Sequence, residues 1–268
     1  MGGLTPSQAL GLYSGANPFE SAAAIRASNY SAYIDGKLTR LLDWHEPPPQ
    51  ARLAHEALRS FLLGDGFSCV AGKAVLHSGG YRFGYYKGFP AQADTEGLAR
   101  DLCAFVAERP SMSARYATFV AVFDRMETFG ERWFETALWE QLQKLHALDA
   151  QHHAWDPHAS SDPSDTSFAF SFAGCAFYVV GMHPGASRRS RRFFLPALAF
   201  NAHSQFRIAR ETGAFERIRR AVRQRELMLQ GSLNPELSEF GSSSEARQYS
   251  GRKTESGWEC PFQARRFD

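Results

Sequence analysis

The chain has 268 residues, of which 44% are hydrophobic and 22 are Phe, and its formal net charge at pH 7 is +2. This length is enough for one large domain or two small ones with a sizeable core. So small a net charge argues against a general electrostatic attraction to nucleic acid or to a membrane surface, and we expect neither partner.

The four cysteines, at positions 69, 103, 175 and 260, show no CxxC spacing, which argues against a structural zinc site. No apolar run approaches the roughly 18 residues that a membrane-spanning helix needs. The first residues also lack the basic and then apolar pattern of a secretory signal. We therefore expect a cytoplasmic protein with reduced thiols.

In chain order, residues 1–30 are interrupted by Gly, Ser, Pro and Asn and predict a peripheral N-terminal arm, whereas residues 31–268 predict a single domain. Consecutive prolines precede a helix predicted over residues 51–63. Residues 67–74 and 81–86, separated by Ser78-Gly79-Gly80, predict a β-hairpin.

Regular elements are predicted along the rest of the chain. Helical spacing of apolar residues predicts helices over 95–108 and 130–147, with a strand over 117–123 between them. Residues 167–172 and 176–180 predict a second hairpin, and 204–229 a basic helix, interrupted at Gly213, whose arginines we expect on a charged outer face. Hairpins that alternate with helices predict an α+β fold: one domain with a mainly antiparallel sheet flanked by helices.

The stretch 174–203 concentrates the candidate functional residues. An apolar run ends at Gly181-Met182-His183-Pro184, four arginines follow at positions 188, 189, 191 and 192, and a second apolar run leads to His203. Two imidazoles at strand ends, with guanidinium groups between them, indicate a site for a large, partly apolar, anionic ligand. The histidines at positions 152, 153 and 158 fall in a polar segment with prolines, which favours a solvated loop over a metal site.

Several motifs in the same order give the chain a family resemblance. They are Phe67-Ser68-Cys69; Gly181-Met182-His183-Pro184 with Ser187-Arg188 and Arg191-Arg192-Phe193; Phe200-Asn201-Ala202-His203 with Gln205-Phe206; Gln230-Gly231-Ser232 with Asn234-Pro235; Ser244-Glu245-Ala246-Arg247-Gln248-Tyr249-Ser250-Gly251-Arg252; and Trp258-Glu259-Cys260-Pro261-Phe262. In these motifs the chain resembles the YqcI/YcgG family, whose members include heme-dependent N-hydroxylases of guanidino compounds. Ser68 and Ala202 stand where the family has proline.

The resemblance implies that residues 31–268 form a heme-binding catalytic domain with heme b as cofactor. A heme needs an axial donor and partners for its two propionates. His183 is the first candidate for the iron ligand, His203 the second and Cys69 the third. The guanidinium groups of Arg188, Arg191 and Arg192 suit the propionates, because each can bind a carboxylate through two parallel hydrogen bonds.

A guanidino substrate needs a carboxylate for its cationic end and a cation for its α-carboxylate. Glu245, in a loop rich in turn residues, is the first candidate for the cationic end, and Glu140 on a predicted helix is the second. Two side chains in the same C-terminal segment, Arg247 and Arg252, are candidates for the α-carboxylate. Tyr249 and Ser250 are candidates for hydrogen bonds to bound oxygen.

The resemblance thus implies a heme-dependent monooxygenase that hydroxylates a guanidino nitrogen of L-arginine or a close relative, in natural-product (antibiotic) biosynthesis. Dioxygen or hydrogen peroxide would be the co-substrate. The chain shows no Gly-rich dinucleotide fingerprint, so we expect an external electron donor. The alternative is a heme-binding sensor or carrier without turnover. A nucleic-acid module on residues 188–225 is disfavoured, since aromatic residues are not interleaved with the arginines.

Overall fold

A seven-stranded mixed sheet organises the computed structural model, which describes residues 17–91, 93–112, 114, 116–125, 130–234 and 243–264. The strands are β1 (Ser31–Ile34), β2 (Lys37–Arg40), β3 (Tyr81–Lys87), β4 (Thr118–Asp124), β5 (Phe170–Phe172), β6 (Cys175–Met182) and β7 (Ala197–Ala202). Their spatial order is β2-β1-β3-β4-β7-β6-β5. Only the β3–β4 pair is parallel among these strands. The predicted α+β class with a mainly antiparallel sheet is confirmed.

Helices cover both faces of this sheet. Within the described ranges the α-helices are α1 (Ala22–Ala27), α2 (Pro49–Leu63), α3 (Val70–His77), α4 (Thr95–Glu108), α5 (Glu131–Asp149), α6 (His203–Glu211), α7 (Ala214–Gln230) and α8 (Ala246–Tyr249). In the same ranges no helix is both long enough and apolar enough to cross a bilayer.

Strand β4 shows why the sheet has two separate cores. It reads TFVAVFD and is buried on both faces. Phe119, Ala121 and Phe123 pack into an aromatic core with α4 and α5, whereas Val120 and Val122 pack into a second core with α2 and α3. Successive strand residues point to opposite faces, so one short strand supplies both cores.

Most predicted elements are confirmed. The helices expected over 51–63, 95–108 and 130–147 are α2, α4 and α5, and the second hairpin is β5–β6. The expected break in the basic helix is also present, because Gly213 adopts a φ of +65° between α6 and α7.

The first predicted hairpin is wrong. Residues 70–77 form helix α3, and the thiol of Cys69 accepts a hydrogen bond from the Gly72 amide at 3.4 Å, as an N-cap does. Strand β3 pairs with β1 and β4 instead. Local β-propensity in 67–74 is therefore overridden by a helix cap and by tertiary pairing of β3.

Residues 17–30, the described part of the predicted N-terminal arm, pack against the rest of the domain. Residues 1–16 lie outside the described residues, but Phe19 and Tyr30 are buried in the aromatic core. Helix α1 packs so closely on α4 that a methyl group added at Gly97 would lie 2.5 Å from the carbonyl carbon of Ala27. Residues 17–30 thus belong to the domain, because their apolar side chains help to cover α4.

Candidate functional site

A cavity of about 390 Å³ lies between the sheet and the helices α2, α3, α6 and α7. Its volume falls within the roughly 300–1,000 Å³ typical of small-molecule sites. The sheet side of the cavity is formed by Thr118, Val120, Tyr178, Val180, Ala199 and Asn201. The opposite aromatic core, with α4 and α5, is filled by side chains.

The amino-acid pattern explains why the cavity is largely apolar. In β6, Tyr178 and Val180 line it, whereas Phe177 and Val179 point into the aromatic core on the other face. The helix side is apolar at intervals of three and four residues, as expected for one face of a helix. The residues of α7 that line the cavity in this way are Phe215, Ile218 and Val222.

His203, Glu245 and Tyr249, all predicted site residues, meet at one edge of the cavity. His203 begins α6, and its Nε2 lies 2.8 Å from Oε1 of Glu245. The Tyr249 hydroxyl lies 2.7 Å from the same oxygen. Burial and the Glu245 carboxylate raise the pKa of Tyr249 well above its usual value, so the phenol stays protonated and can donate. His203 and Glu245 line the cavity, and Tyr249 holds Glu245 from behind.

Cys69 also lines the cavity, at the N-terminus of α3. Burial raises the pKa of its thiol, although the amides of Gly72 and Ala71 act in the opposite direction. The side chain is therefore a neutral thiol at neutral pH. A thiol in this state is a weaker metal donor than a thiolate.

Arg188 and Arg191 line the cavity but bind backbone carbonyls. Arg188 Nη1 donates to the Ser232 carbonyl at 2.9 Å, and Nη2 donates to Leu233. Arg191 donates to the carbonyls of Gly181, Gln248 and Tyr249. Both guanidinium groups thus fasten the chain around the cavity, which is a structural role that the sequence did not indicate.

Arg192, the third arginine predicted for the propionates, lies outside the cavity lining. Its Nε donates to the Ala186 carbonyl at 2.8 Å and its Nη2 to that of Ser187. The prediction for Arg192 therefore finds no support in the geometry, because its guanidinium is directed to its own loop.

His183, the first predicted iron ligand, does not line the cavity. Its side chain stacks on Phe134 of α5, with ring centroids 4.2 Å apart, and the residue is 2% exposed. Neither ring nitrogen has a hydrogen-bond partner in the part of the chain that is described. Burial lowers the pKa of His183 to about 4, so the ring is neutral. It packs against the helix that covers the filled core.

Ser250, predicted to contact bound oxygen, and the remaining predicted substrate residues are also absent from the cavity lining. Ser250 and Arg252 bind Glu135 of α5, with Arg252 Nη2 at 2.6 Å. Arg247 donates to the Trp258 carbonyl, and Glu140 pairs with Lys144 on α5. These contacts fasten the C-terminal segment and the surface of α5. In this structure the four side chains make structural contacts, and the substrate roles of Arg247, Arg252 and Glu140 and the oxygen-binding role of Ser250 stay predictions.

Charged side chains of α6 and α7 also line the cavity, which the sequence pattern did not predict. Arg210, Arg219, Arg223 and Glu226 line it, although we expected this helix to place its arginines on an outer face. Arg219 and Arg223 are four residues apart and directly follow Ile218 and Val222. The available signal is that Arg219 also lies four residues after Phe215, since residues three or four apart share one side of a helix.

No group of three or more His, Cys, Asp or Glu among the described residues could hold a metal ion by itself. The histidines at 152, 153 and 158 lie in loops, as expected. His153 binds Asp149 at 2.8 Å, and His158 binds Asp156 at 3.1 Å.

Comparisons with known proteins give one finding. Residues 58–263 match the model of the YqcI/YcgG family. No curated protein and no solved structure matches the chain. The matched segment is most of the chain and includes the cavity-lining residues from Leu58 to Gln248. The chain belongs to the YqcI/YcgG family.

Proposed function

We propose that this protein is a heme-dependent oxygenase that hydroxylates a guanidino nitrogen of L-arginine or a close relative. The observation that carries the proposal is the His203–Glu245 pair on the wall of a largely apolar cavity. The resemblance to heme-dependent N-hydroxylases supports the reaction class. Bound heme b would supply the activation of dioxygen or hydrogen peroxide, with electrons from an external donor.

The residues around the cavity fit such a cofactor. In a metal-binding histidine, the N–H of the second ring nitrogen commonly donates a hydrogen bond to a carboxylate, which fixes the tautomer of the ring. A carboxylate can only accept, so Nε2–H of His203 is assigned as the donor to Glu245, and a neutral ring in this tautomer would present its lone pair to iron from Nδ1. We therefore take His203 as the residue that would bind the heme iron, ahead of His183, which lies outside the cavity, and ahead of Cys69, whose thiol is neutral.

Cationic side chains on the helices that line the cavity could bind the two propionates of heme b. Arg219 and Arg223 line the cavity one helical turn apart. They replace Arg192 in the expected role, and Arg188 and Arg191 contribute positive charge nearby while they bind backbone carbonyls. The apolar residues beside them, Ile218 and Val222, provide the surface that a flat macrocycle needs.

The protein would contribute to the reaction by orienting the substrate and by limiting its contact with water. The helices α2, α3, α6 and α7 line the cavity opposite the sheet, so a bound substrate would lie between two protein walls. A guanidino nitrogen held in a fixed orientation reacts as if in an intramolecular reaction. A role in natural-product biosynthesis and a cytoplasmic location remain predictions of the sequence.

The experiment is a turnover assay on the purified protein. Protein supplied with hemin, L-arginine, a chemical or protein reductant and oxygen is expected to form N-hydroxyarginine, detected by mass spectrometry. A parallel reaction with hydrogen peroxide tests the second co-substrate. A Soret band without product across a panel of guanidines and amines would favour the non-catalytic sensor or carrier and would contradict the proposal.

A further inference from the structure

Glu226 is a buried carboxylate on the cavity wall with unused hydrogen-bonding capacity. It lies on α7, is 6% exposed and lines the cavity. Its Oε2 has no hydrogen-bond partner within the described chain. A carboxylate offers about four lone-pair sites, and leaving a buried acceptor without a donor costs free energy. A donor from a bound molecule would remove that cost.

The neighbouring cations do not satisfy this carboxylate. Arg188 Nη1 lies 3.8 Å from Glu226 Oε1, which is longer than a hydrogen bond. The same guanidinium donates to the carbonyls of Ser232 and Leu233. Arg191 donates to three other backbone carbonyls. Arg188 and Arg191 thus compensate the charge of Glu226 from a distance, while Oε2 has no donor among the described residues.

Glu245, the carboxylate that the sequence favoured, is in the opposite situation. Its Oε1 is shared by His203 and Tyr249, so it serves to hold the histidine. Glu226 and Glu245 are the acidic residues that line the cavity within the described ranges. The difference in their partners assigns them different tasks.

We propose that Glu226 is the specificity-determining residue that binds the cationic end of the substrate. A guanidinium fits best, because it can donate two parallel hydrogen bonds to the two oxygens of a carboxylate. The inference rests on the proposed function for the identity of the substrate, but the pairing of a ligand cation with Glu226 can be tested without turnover.

The test compares two ligands of the same length and different charge. Binding of L-arginine and of L-citrulline, whose ureido group is neutral, is measured by isothermal titration calorimetry on the protein as purified and after loading with hemin. Wild-type protein is expected to prefer arginine by about 10- to 100-fold, the range of a charged hydrogen bond. In Glu226→Gln this preference should fall to near one.

Matched variants separate this effect from a loss of folding. Glu211→Gln removes the same charge from an exposed position on α6 and should keep the wild-type preference. Glu226→Asp keeps the charge but shortens the side chain, and should show an intermediate preference. Circular dichroism and thermal unfolding report whether each variant is folded.

Two results would overturn the inference. One is a folded Glu226→Gln or Glu226→Asp protein that prefers arginine as the wild type does, with no graded loss. The other is wild-type protein that binds neither arginine, homoarginine nor agmatine. Failure of the proposed function gives a different result. A preference for arginine that depends on Glu226, in a protein without a Soret band or hydroxylated product, would support the cation site and contradict the proposed function.

Discussion

The two faces of the sheet differ in what their side chains do. The face covered by α4 and α5 is filled by aromatic rings, such as Phe134 on Phe89 and Phe119 on Phe200. The face covered by α2, α3, α6 and α7 keeps a cavity, with charged side chains on its helical wall. Both faces carry a buried hydrophobic core, and the face covered by α2, α3, α6 and α7 holds the cavity in addition.

The C-terminal motif, residues 244–252, contacts both faces of the sheet. Glu245 reaches the cavity and holds His203, whereas Ser250 and Arg252 bind Glu135 on the filled side. Tyr249 connects the two, because its hydroxyl contacts Glu245 while its ring stacks on Trp139 of α5. A short segment can thus join the packed side to the candidate site.

The largest expected effect comes from emptying the filled face. Phe177→Ala removes a fully buried ring that contacts Phe105 and Phe200. We expect the free energy of unfolding to fall by about 3–5 kcal/mol, the usual cost of a Phe-to-Ala cavity. Urea unfolding followed by circular dichroism measures this loss.

Phe206→Ala is the matched control on the other face, because Phe206 lines the cavity and is half-buried. Its unfolding free energy should change much less, while hemin binding weakens. Equal losses of stability in the two variants would show that the cavity face is packed as tightly as the filled face.

A smaller effect is expected from the buried ion pair between Arg252 and Glu135, whose Nη2–Oε2 distance is 2.6 Å. Arg252→Met would leave Glu135 buried without its partner and lower the free energy of unfolding by about 3 kcal/mol. The affinity of the folded variant for arginine should stay at the wild-type value. A stable variant that no longer binds arginine would return Arg252 to the substrate role that the sequence suggested.

The smallest expected effect is the pH dependence of the free energy of unfolding that His55 on α2 produces. Burial, with a contribution from Arg59, lowers the pKa of His55 to about 4. The unfolded chain takes up this proton near pH 6.5, and the folded chain resists it until about pH 4. The stability that His55 provides is thus complete above pH 6.5 and falls by about 2.5 kcal/mol between pH 7 and pH 4.5.

Denaturant unfolding from pH 7 to pH 4.5 measures this contribution. His55→Gln should flatten the dependence of unfolding free energy on pH relative to wild type, because the titrating group is gone. His77→Gln, at an exposed position on α3, should leave the dependence unchanged. Identical pH profiles for wild type and His55→Gln would mean that His55 has the same pKa in the folded and unfolded chain, against the shift described here.

The sequence was sufficient for the elements whose signals are local. Apolar spacing located α2, α4 and α5, and Gly213 marked the break between α6 and α7. The hairpin at 67–86 was mispredicted because β3 pairs with a strand that follows more than thirty residues later along the chain, in β4. Such parallel pairing leaves no local turn signal.

The candidate site was only partly predictable for a similar reason. His203, Glu245 and Tyr249 were identified through family motifs, and the structure brings them together. His183 and His203 both follow apolar runs, so the sequence does not distinguish them. It does not show on which face of the sheet a side chain at a strand end lies. Glu226 was overlooked because its burial depends on how α7 packs over the sheet.

The central claim is that His203, on the cavity wall, binds the iron of a heme. Hemin titration followed by absorption spectroscopy tests it on wild type, His203→Gln and His183→Gln. We expect wild type and His183→Gln to develop the same Soret band, and His203→Gln to show a shifted or missing band. A protein that stays colourless with hemin, or a His203→Gln spectrum identical to that of wild type, would contradict the claim.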